Sequence, residues 1–194
     1  YAKNNLGGAY LHGDGVTKDP EKAVYWFEKL ANQGKPEAQY NLGVVYYYGK
    51  GVAEDFEKGV YWLEQAANQG FSEAQKDLGF AYYEGKGLPE NPEKAVYWWE
   101  EAANQENADA QYNLGFAYAK GYGVPEDLEK AVYWWEKAAK QGNADAQYGL
   151  GINYYYGRGV SKKKSQAKYW MKRARENGLH EAQRFWEQEK LWRY

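Results

Sequence analysis

Two histidines, His12 and His180, are the side chains of this sequence best suited to proton transfer near neutral pH, but they lie far apart in the chain and neither has a neighbour at metal-ligand spacing. There is no cysteine, which removes a thiol nucleophile, a thiolate metal site and a disulfide framework. Gly-Lys-Gly at residues 49–51 and 85–87 lacks the spacing and the following Ser/Thr of a phosphate-binding P-loop. Carboxylates are plentiful, yet many, such as Glu21 and Glu93, stand at positions that read as helix starts. No catalytic constellation, metal or cofactor is expected. What stands out is aromatic: 21 Tyr and 9 Trp in 194 residues. Tyr is large, stiff and polar at its tip, so the chemistry it suits is recognition.

The elements that must position these rings repeat. Leu-Gly recurs at Leu6-Gly7, Leu42-Gly43, Leu78-Gly79, Leu114-Gly115 and Leu150-Gly151, always 36 residues on. Ala2, Ala38, Ala74, Ala110, Ala146 and Ala182 keep the same step, as do Tyr10, Tyr46, Tyr82, Tyr118 and Tyr154. So does a Tyr-Trp pair from Tyr25-Trp26 to Tyr169-Trp170. Such a fixed period is the signature of a solenoid, in which stacked units bury their apolar faces jointly.

Each copy reads as two helices. Ala38, Leu42 and Tyr46 step by four and share one face of a helix A. Gly49-Lys50-Gly51 then breaks the chain, as two glycines at a helix end allow. Helix B starts at an N-cap at Asp19, Asp55, Asn91 and Asp127. Ala95, Trp98, Trp99 and Ala102 follow its amphipathic spacing. The recurrent Trp and Tyr residues are expected in the core. Gln-Gly ends helix B at residues 33–34, 69–70 and 141–142, whereas Glu106 stands at the corresponding place in the third copy. A non-Gly residue in the left-handed region costs on the order of 1 kcal/mol, so a local change is expected in that turn.

The pattern Ala-x3-Leu-Gly-x2-Tyr-x2-Gly-x-Gly-Val-x2-Asp-x2-Lys-Ala-x2-Trp, seen from Ala2 to Trp26, resembles the Sel1-like repeat, a relative of the tetratricopeptide repeat. The resemblance runs over about residues 1 to 182. It implies an all-α, right-handed superhelical solenoid of antiparallel helix pairs, with helix A on the concave side and helix B on the convex side. The chain is accordingly read as one domain over 1–194, with repeats at about 1–36, 37–72, 73–108, 109–144 and 145–180 and a capping helix over 181–194. Arg184, Glu187, Lys190 and Arg193 are expected on the outer face of that cap. The family further implies an adaptor in protein complexes, typical of bacterial envelope and secretion systems. The compartment stays open between bacterial periplasmic or secreted and cytoplasmic. Tyr1 falls inside a repeat, so a targeting segment is expected to be missing from this chain.

Positions that differ between copies are free to carry specificity. On the helix A face opposite Ala2, Leu6 and Tyr10, these are Asn4, Gly8, Leu11 and His12 in the first copy, Tyr40, Val44, Tyr47 and Tyr48 in the second and Lys76, Phe80, Tyr83 and Glu84 in the third. The fourth offers Tyr112, Phe116, Ala119 and Lys120, and the fifth Tyr148, Ile152, Tyr155 and Tyr156. Val44, Phe80, Phe116 and Ile152 are expected to pack between helices. Tyr47, Tyr48, Tyr155 and Tyr156 are expected to be exposed in the groove. The site residues are therefore Tyr40, Tyr47, Tyr48, Lys76, Tyr83, Tyr112, Lys120, Tyr148, Tyr155 and Tyr156, and the partner is expected to be a protein or peptide lying along the groove.

Charge is uneven. Residues 157–194 hold eleven Lys/Arg against four Glu, an excess of seven, which leaves nine negative charges on the rest of a chain whose total is −2. That total does not suit a nucleic-acid binder, while the basic end would attract an acidic partner. No stretch of about 18 apolar residues suggests a membrane span. Two alternatives accompany the adaptor reading: a glycan- or peptidoglycan-binding module, since aromatic clefts also stack on sugars, and an immunity protein that caps a bacterial toxin.

Overall fold

The computed structural model describes residues 2–191, and all its long elements are α-helices. In order these are α1 (Ala2–His12), α2 (Pro20–Ala31), α3 (Pro36–Tyr47), α4 (Phe56–Ala67), α5 (Ser72–Glu84), α6 (Pro92–Asn104), α7 (Ala108–Lys120), α8 (Leu128–Lys140), α9 (Ala144–Tyr156), α10 (Lys164–Glu176) and α11 (His180–Gln188). From α1 to α10, odd numbers are A helices and even numbers B helices. Contacts group the chain into two compact units, Tyr1–Ala102 and Ala103–Tyr194.

In the first unit, the B helices begin where the sequence places their caps. Asp19 accepts a hydrogen bond from the Lys22 amide at 3.1 Å, Asp55 from Lys58 at 2.9 Å and Asn91 from Lys94 at 2.9 Å. Each bond satisfies one of the amides a helix start leaves free. Helices A and B cross at the Leu-Gly glycine. A Cβ on Gly43 would lie 2.9 Å from Leu63, and one on Gly79 2.5 Å from Trp99, so no side chain fits there. Around the first crossings Ala23, Phe27, Ala31, Ala38, Leu42, Val45 and Tyr46 form the core. Gly87 has φ +76°, and a Cβ on it would meet the Phe56 carbonyl oxygen at 2.4 Å. The loop of one repeat thus rests against the start of the preceding B helix.

A relay of amides joins successive repeats. Gln39 Nε2 donates to the Ala31 carbonyl at 3.2 Å, and its Oε1 accepts from Gln69 Nε2 at 2.6 Å. Gln75 repeats the first bond to Ala67 at 3.3 Å. In the second unit Gln111 donates to Ala103 at 3.1 Å and Gln147 to Ala139 at 3.0 Å, while Gln141 and Asn177 donate to the two glutamine oxygens at 2.9 Å. Gln39, Gln111 and Gln147 are therefore bonded at both ends, which removes the cost of burying an amide.

The second unit packs Ala131, Val132, Trp135, Ala138, Ala139, Ala146, Leu150 and Trp170 into one cluster and Met171, Ala174, Ala182 and Leu191 into another. Asp127 caps α8, but Lys163 at the start of α10 makes no side-chain cap bond.

Three expectations are corrected. The turn at Glu106 keeps the geometry of its counterparts: Glu106 itself takes φ 64°, beside 76° at Gly34 and 82° at Gly70. The Glu106 amide donates to the Ala103 carbonyl at 3.1 Å, as the Gly34 and Gly70 amides do to Ala31 and Ala67 at 2.9 Å, so the glutamate adopts the same reversal. The capping helix ends at Gln188 rather than running to the C-terminus. The chain reverses at Lys190, φ 51°, and Leu191 is fully buried, because Met171, Ala174 and Ala182 offer an apolar seat. Arg193 lies outside the described residues. Finally, Tyr25, Tyr61, Tyr97, Tyr133 and Tyr169 are 46–56% exposed rather than buried. Adjacent helical residues point about 100° apart, so a Tyr and the Trp that follows it cannot both face the core.

Candidate functional site: the helix A face

In the first unit the face is built by α3 and α5, with the start of α4 beneath. Tyr40 is half-buried; its ring lies 5.2 Å from Phe71 and its hydroxyl bonds Asp77. Burial, then the Asp77 charge, push that hydroxyl well above the ordinary phenol range. Asp77 also pairs with Lys76 at 2.9 Å. Tyr83 stands against Phe80 and Trp99, with centroids at 6.0 and 5.9 Å. Val44 and Phe80 are partly buried, as the packing expectation has it.

Tyr47 is a correction. Only 3% exposed, it is a core residue rather than a groove residue. Its hydroxyl donates to Glu84 at 3.3 Å and its ring meets Phe56 edge-on at 5.1 Å. Beneath it Gly59 stands where the other copies hold Ala23, Ala95, Ala131 and Ala167: a Cβ there would come within 2.7 Å of the Tyr47 backbone nitrogen and Cβ, so α4 lies close against the α3 backbone at this point. That glycine is the sequence signal of the close approach at Tyr47. Tyr48 does emerge, 48% exposed, braced edge-on by Tyr47 at 5.0 Å with the Lys50 ammonium 5.5 Å from its ring. Its hydroxyl is raised by burial and by Asp77, with Lys76 opposing.

In the second unit α7, α9 and α11 build the face. Tyr112 is half-buried, and its backbone carbonyl accepts from Trp135 Nε1 at 3.2 Å. Lys120 is exposed at the end of α7. Phe185 gathers three tyrosines: Tyr148 at 6.4 Å, Tyr155 at 5.4 Å and Tyr156 at 6.5 Å. Tyr155, expected in the open, is instead partly covered because Phe185 packs on it and its hydroxyl donates to Glu189. Tyr156 is 47% exposed and braced by Tyr155 at 5.1 Å. A depression of about 230 Å³ opens beside them, lined by Tyr148, Glu181, Arg184, Phe185 and Gln188.

The face therefore offers, in each unit, one exposed tyrosine braced by a neighbour that is buried (Tyr47) or partly buried (Tyr155), with carboxylates and a cation within reach. Sequence reasoning missed the B-helix tyrosines Tyr25, Tyr61, Tyr97, Tyr133 and Tyr169, each set edge-on to its Trp at 4.8–5.4 Å. Their spacing beside Trp on an amphipathic helix was the available signal. His12 and His180 are both exposed. Among the described residues no helix is long and apolar enough to cross a membrane.

Comparison with known proteins gives one family. The Sel1 repeat model matches residues 1–35, 36–71, 72–107, 108–143 and 144–179. No curated protein matches the chain. Among solved structures, a Sel1 repeat protein from Oxalobacter formigenes is 34% identical, with a TM-score of 0.88 over 93% of this chain and 72% of that one. The protective antigen c5321 of uropathogenic Escherichia coli, which displays an SLR fold, is 37% identical with a TM-score of 0.89, over 94% of this chain and 39% of its own length. Immunity protein Pa5087 from Pseudomonas aeruginosa is 24% identical with a TM-score of 0.60, over 91% of this chain and 67% of that one; at this identity the likeness shows the fold alone.

Proposed function

The chain belongs to the Sel1 repeat family, whose members are typically non-enzymatic protein-interaction scaffolds, and on that premise we propose that it binds a partner polypeptide through the helix A face. The observation that carries this reading is the pair Tyr48 and Tyr156. They occupy equivalent positions in two repeats, are about half exposed, and are each locked by an edge-on tyrosine. Rigid exposed aromatics bind at small entropic cost. Tyr40, Lys76, Tyr83, Tyr112, Lys120 and Tyr148 flank these anchors, whereas Tyr47 and Tyr155 hold them in place. The chain carries out no reaction in this reading. An immunity protein would be one form of it, with a toxin as the partner.

The test is affinity capture from bacterial lysate and envelope fractions with wild type and a Tyr48→Ala/Tyr156→Ala double variant. The expected result is a protein retained by wild type and lost by a variant whose urea midpoint is unchanged. Equal capture by both would sink the reading.

A second reading, glycan binding, is favoured by the B-helix tyrosines, which repeat once per copy with their rings in solvent. Titration with muropeptides, comparing wild type with Tyr61→Ala/Tyr97→Ala, tests it; unchanged tyrosine and tryptophan fluorescence in wild type would end it.

A further inference from the structure

The last repeat departs from the others in charge. No Asp or Glu occurs from residue 146 to residue 175, and eight Lys/Arg fall within that stretch. Arg158, Lys162 and Lys163 stand exposed at the edge where the glycine loop meets the start of α10. The Arg158 guanidinium lies 5.0 Å from the Tyr156 ring and the Lys162 ammonium 5.9 Å from the Tyr155 ring. Among the described residues none of these three cations pairs with a carboxylate. A cation resting on a ring keeps its charge. Lys163 stands where the other B helices have a capping Asp or Asn, and Ser165 where they have Glu21, Glu57, Glu93 and Glu129. The positive end of the α10 dipole therefore adds to the same field.

In the first unit the places of Lys162 and Lys163 hold Glu54 and Asp55 in one repeat and Glu90 and Asn91 in the next, while Lys50 and Lys86, at the place of Arg158, turn to the Tyr48 ring and to Glu84. Glu54, Glu57, Glu90 and Glu93 are exposed at the starts of α4 and α6. The ammonium groups that follow them in sequence are drawn away: Lys58 donates to the Tyr46 hydroxyl at 3.3 Å and lies 4.4 Å from that ring, and Lys94 does the same with Tyr82 at 3.4 and 5.1 Å. The Glu54, Glu57 and Glu93 carboxylates are left facing water.

We propose that these two edges recognise each other between copies: the basic edge at Arg158, Lys162 and Lys163 of one chain docks on the acidic edge at Glu54, Glu57 and Glu93 of a second. The two surfaces differ, so each contact joins unlike edges, and every copy brings one of each. The charges are solvent-exposed, so salt weakens it. The basic edge adjoins the helix A face, since Arg158 lies over Tyr156 and Lys162 over Tyr155, so the contact between copies is read from oligomeric state and not from partner capture.

The test is sedimentation velocity of the full chain over a range of concentrations at low salt and at about 300 mM NaCl, where screening acts within several ångströms. At low salt the sedimentation coefficient is expected to rise with concentration above that of the monomer, and the rise is expected to vanish at high salt. Arg158→Glu/Lys162→Glu/Lys163→Asp and Glu54→Lys/Glu57→Lys/Glu93→Lys are each expected to stay monomeric alone. An equal mixture of the two associates, because one keeps the acidic edge and the other the basic edge. Lys29→Glu/Lys137→Glu/Lys140→Glu, which changes net charge equally but away from both edges, is expected to associate like wild type; circular dichroism confirms that all variants are helical. The proposal is overturned if wild type is monomeric throughout, if the edge variants associate like wild type, or if the control loses association with them. A monomeric wild type that captures an acidic protein only through an intact basic edge would also overturn it and assign that edge to another partner.

Discussion

Tyr47 and Tyr48 are neighbours in the chain with opposite surroundings. Tyr47 is buried where Gly59 lets α4 lie close to the α3 backbone, with its ring against Phe56, while Tyr48 closes the helix and looks into solvent. Truncating a buried aromatic costs about 3–5 kcal/mol, so Tyr47→Ala is expected to lose that order of stability in urea denaturation. Tyr48→Ala, which gives up an edge-on ring contact and little burial, is expected to lose under about 1 kcal/mol. Similar losses in both would mean that Tyr48 is structural and would remove it as a binding anchor. The 36-residue step made helix A, its buried Ala-x3-Leu face and its variable face legible in the sequence. It did not separate Tyr47 from Tyr48, because that difference depends on what α4 presents opposite, and a helical period describes only one helix at a time. Gly59 in an otherwise alanine column was the clue.

Two helix ends break the rules that the other repeats keep. Glu106 holds a left-handed backbone that glycine holds elsewhere, and Lys163 heads α10 without a cap bond. Glu106→Gly removes Cβ strain and is expected to stabilise the chain by about 1 kcal/mol. Lys163→Asp supplies a cap acceptor and is expected to add about 1 kcal/mol. Thermal denaturation reads both, and a destabilised Lys163→Asp would show that Lys163 serves the fold rather than an encounter. The caps at Asp19, Asp55, Asn91 and Asp127 were legible because a capping bond is local, spanning three residues. The exposure of Tyr25, Tyr61, Tyr97, Tyr133 and Tyr169 was not. Recurrence looks the same whether a position is kept by the core or by the surface, and only the rotation of the helix against its neighbours tells them apart. The early end of α11 was likewise hidden, since Leu191 leaves the helix for a seat made by residues distant in sequence.

Across the molecule, the hydroxyls on the helix A face share one electrostatic habit. Burial raises Tyr40, Tyr47, Tyr112 and Tyr148 above the ordinary value of 10.0, with Asp77, Glu84, Asp145 and Glu181 adding to it in turn. A phenol raised in the fold loses its proton first in the unfolded chain. Its contribution is complete below pH 10 and is lost as pH rises through the folded values. The urea midpoint is therefore expected to fall from about pH 10 upward, with the last tyrosinate absorbance appearing together with loss of helix. A single ionisation step with the helix intact would contradict this. The amide relay has a consequence of another kind. Gln39, Gln75, Gln111 and Gln147 reach back to Ala31, Ala67, Ala103 and Ala139 by the same bond, so four successive junctions share the same plug and the same socket. In the gene, a tandem duplication or excision of one 36-residue block rejoins plug to socket in phase, wherever the breakpoints fall. An insertion of any other length inside a helix leaves a glutamine facing no carbonyl. Such a coding sequence can lengthen and shorten by recombination while its surfaces diverge, and inheritance acts on it in whole repeats.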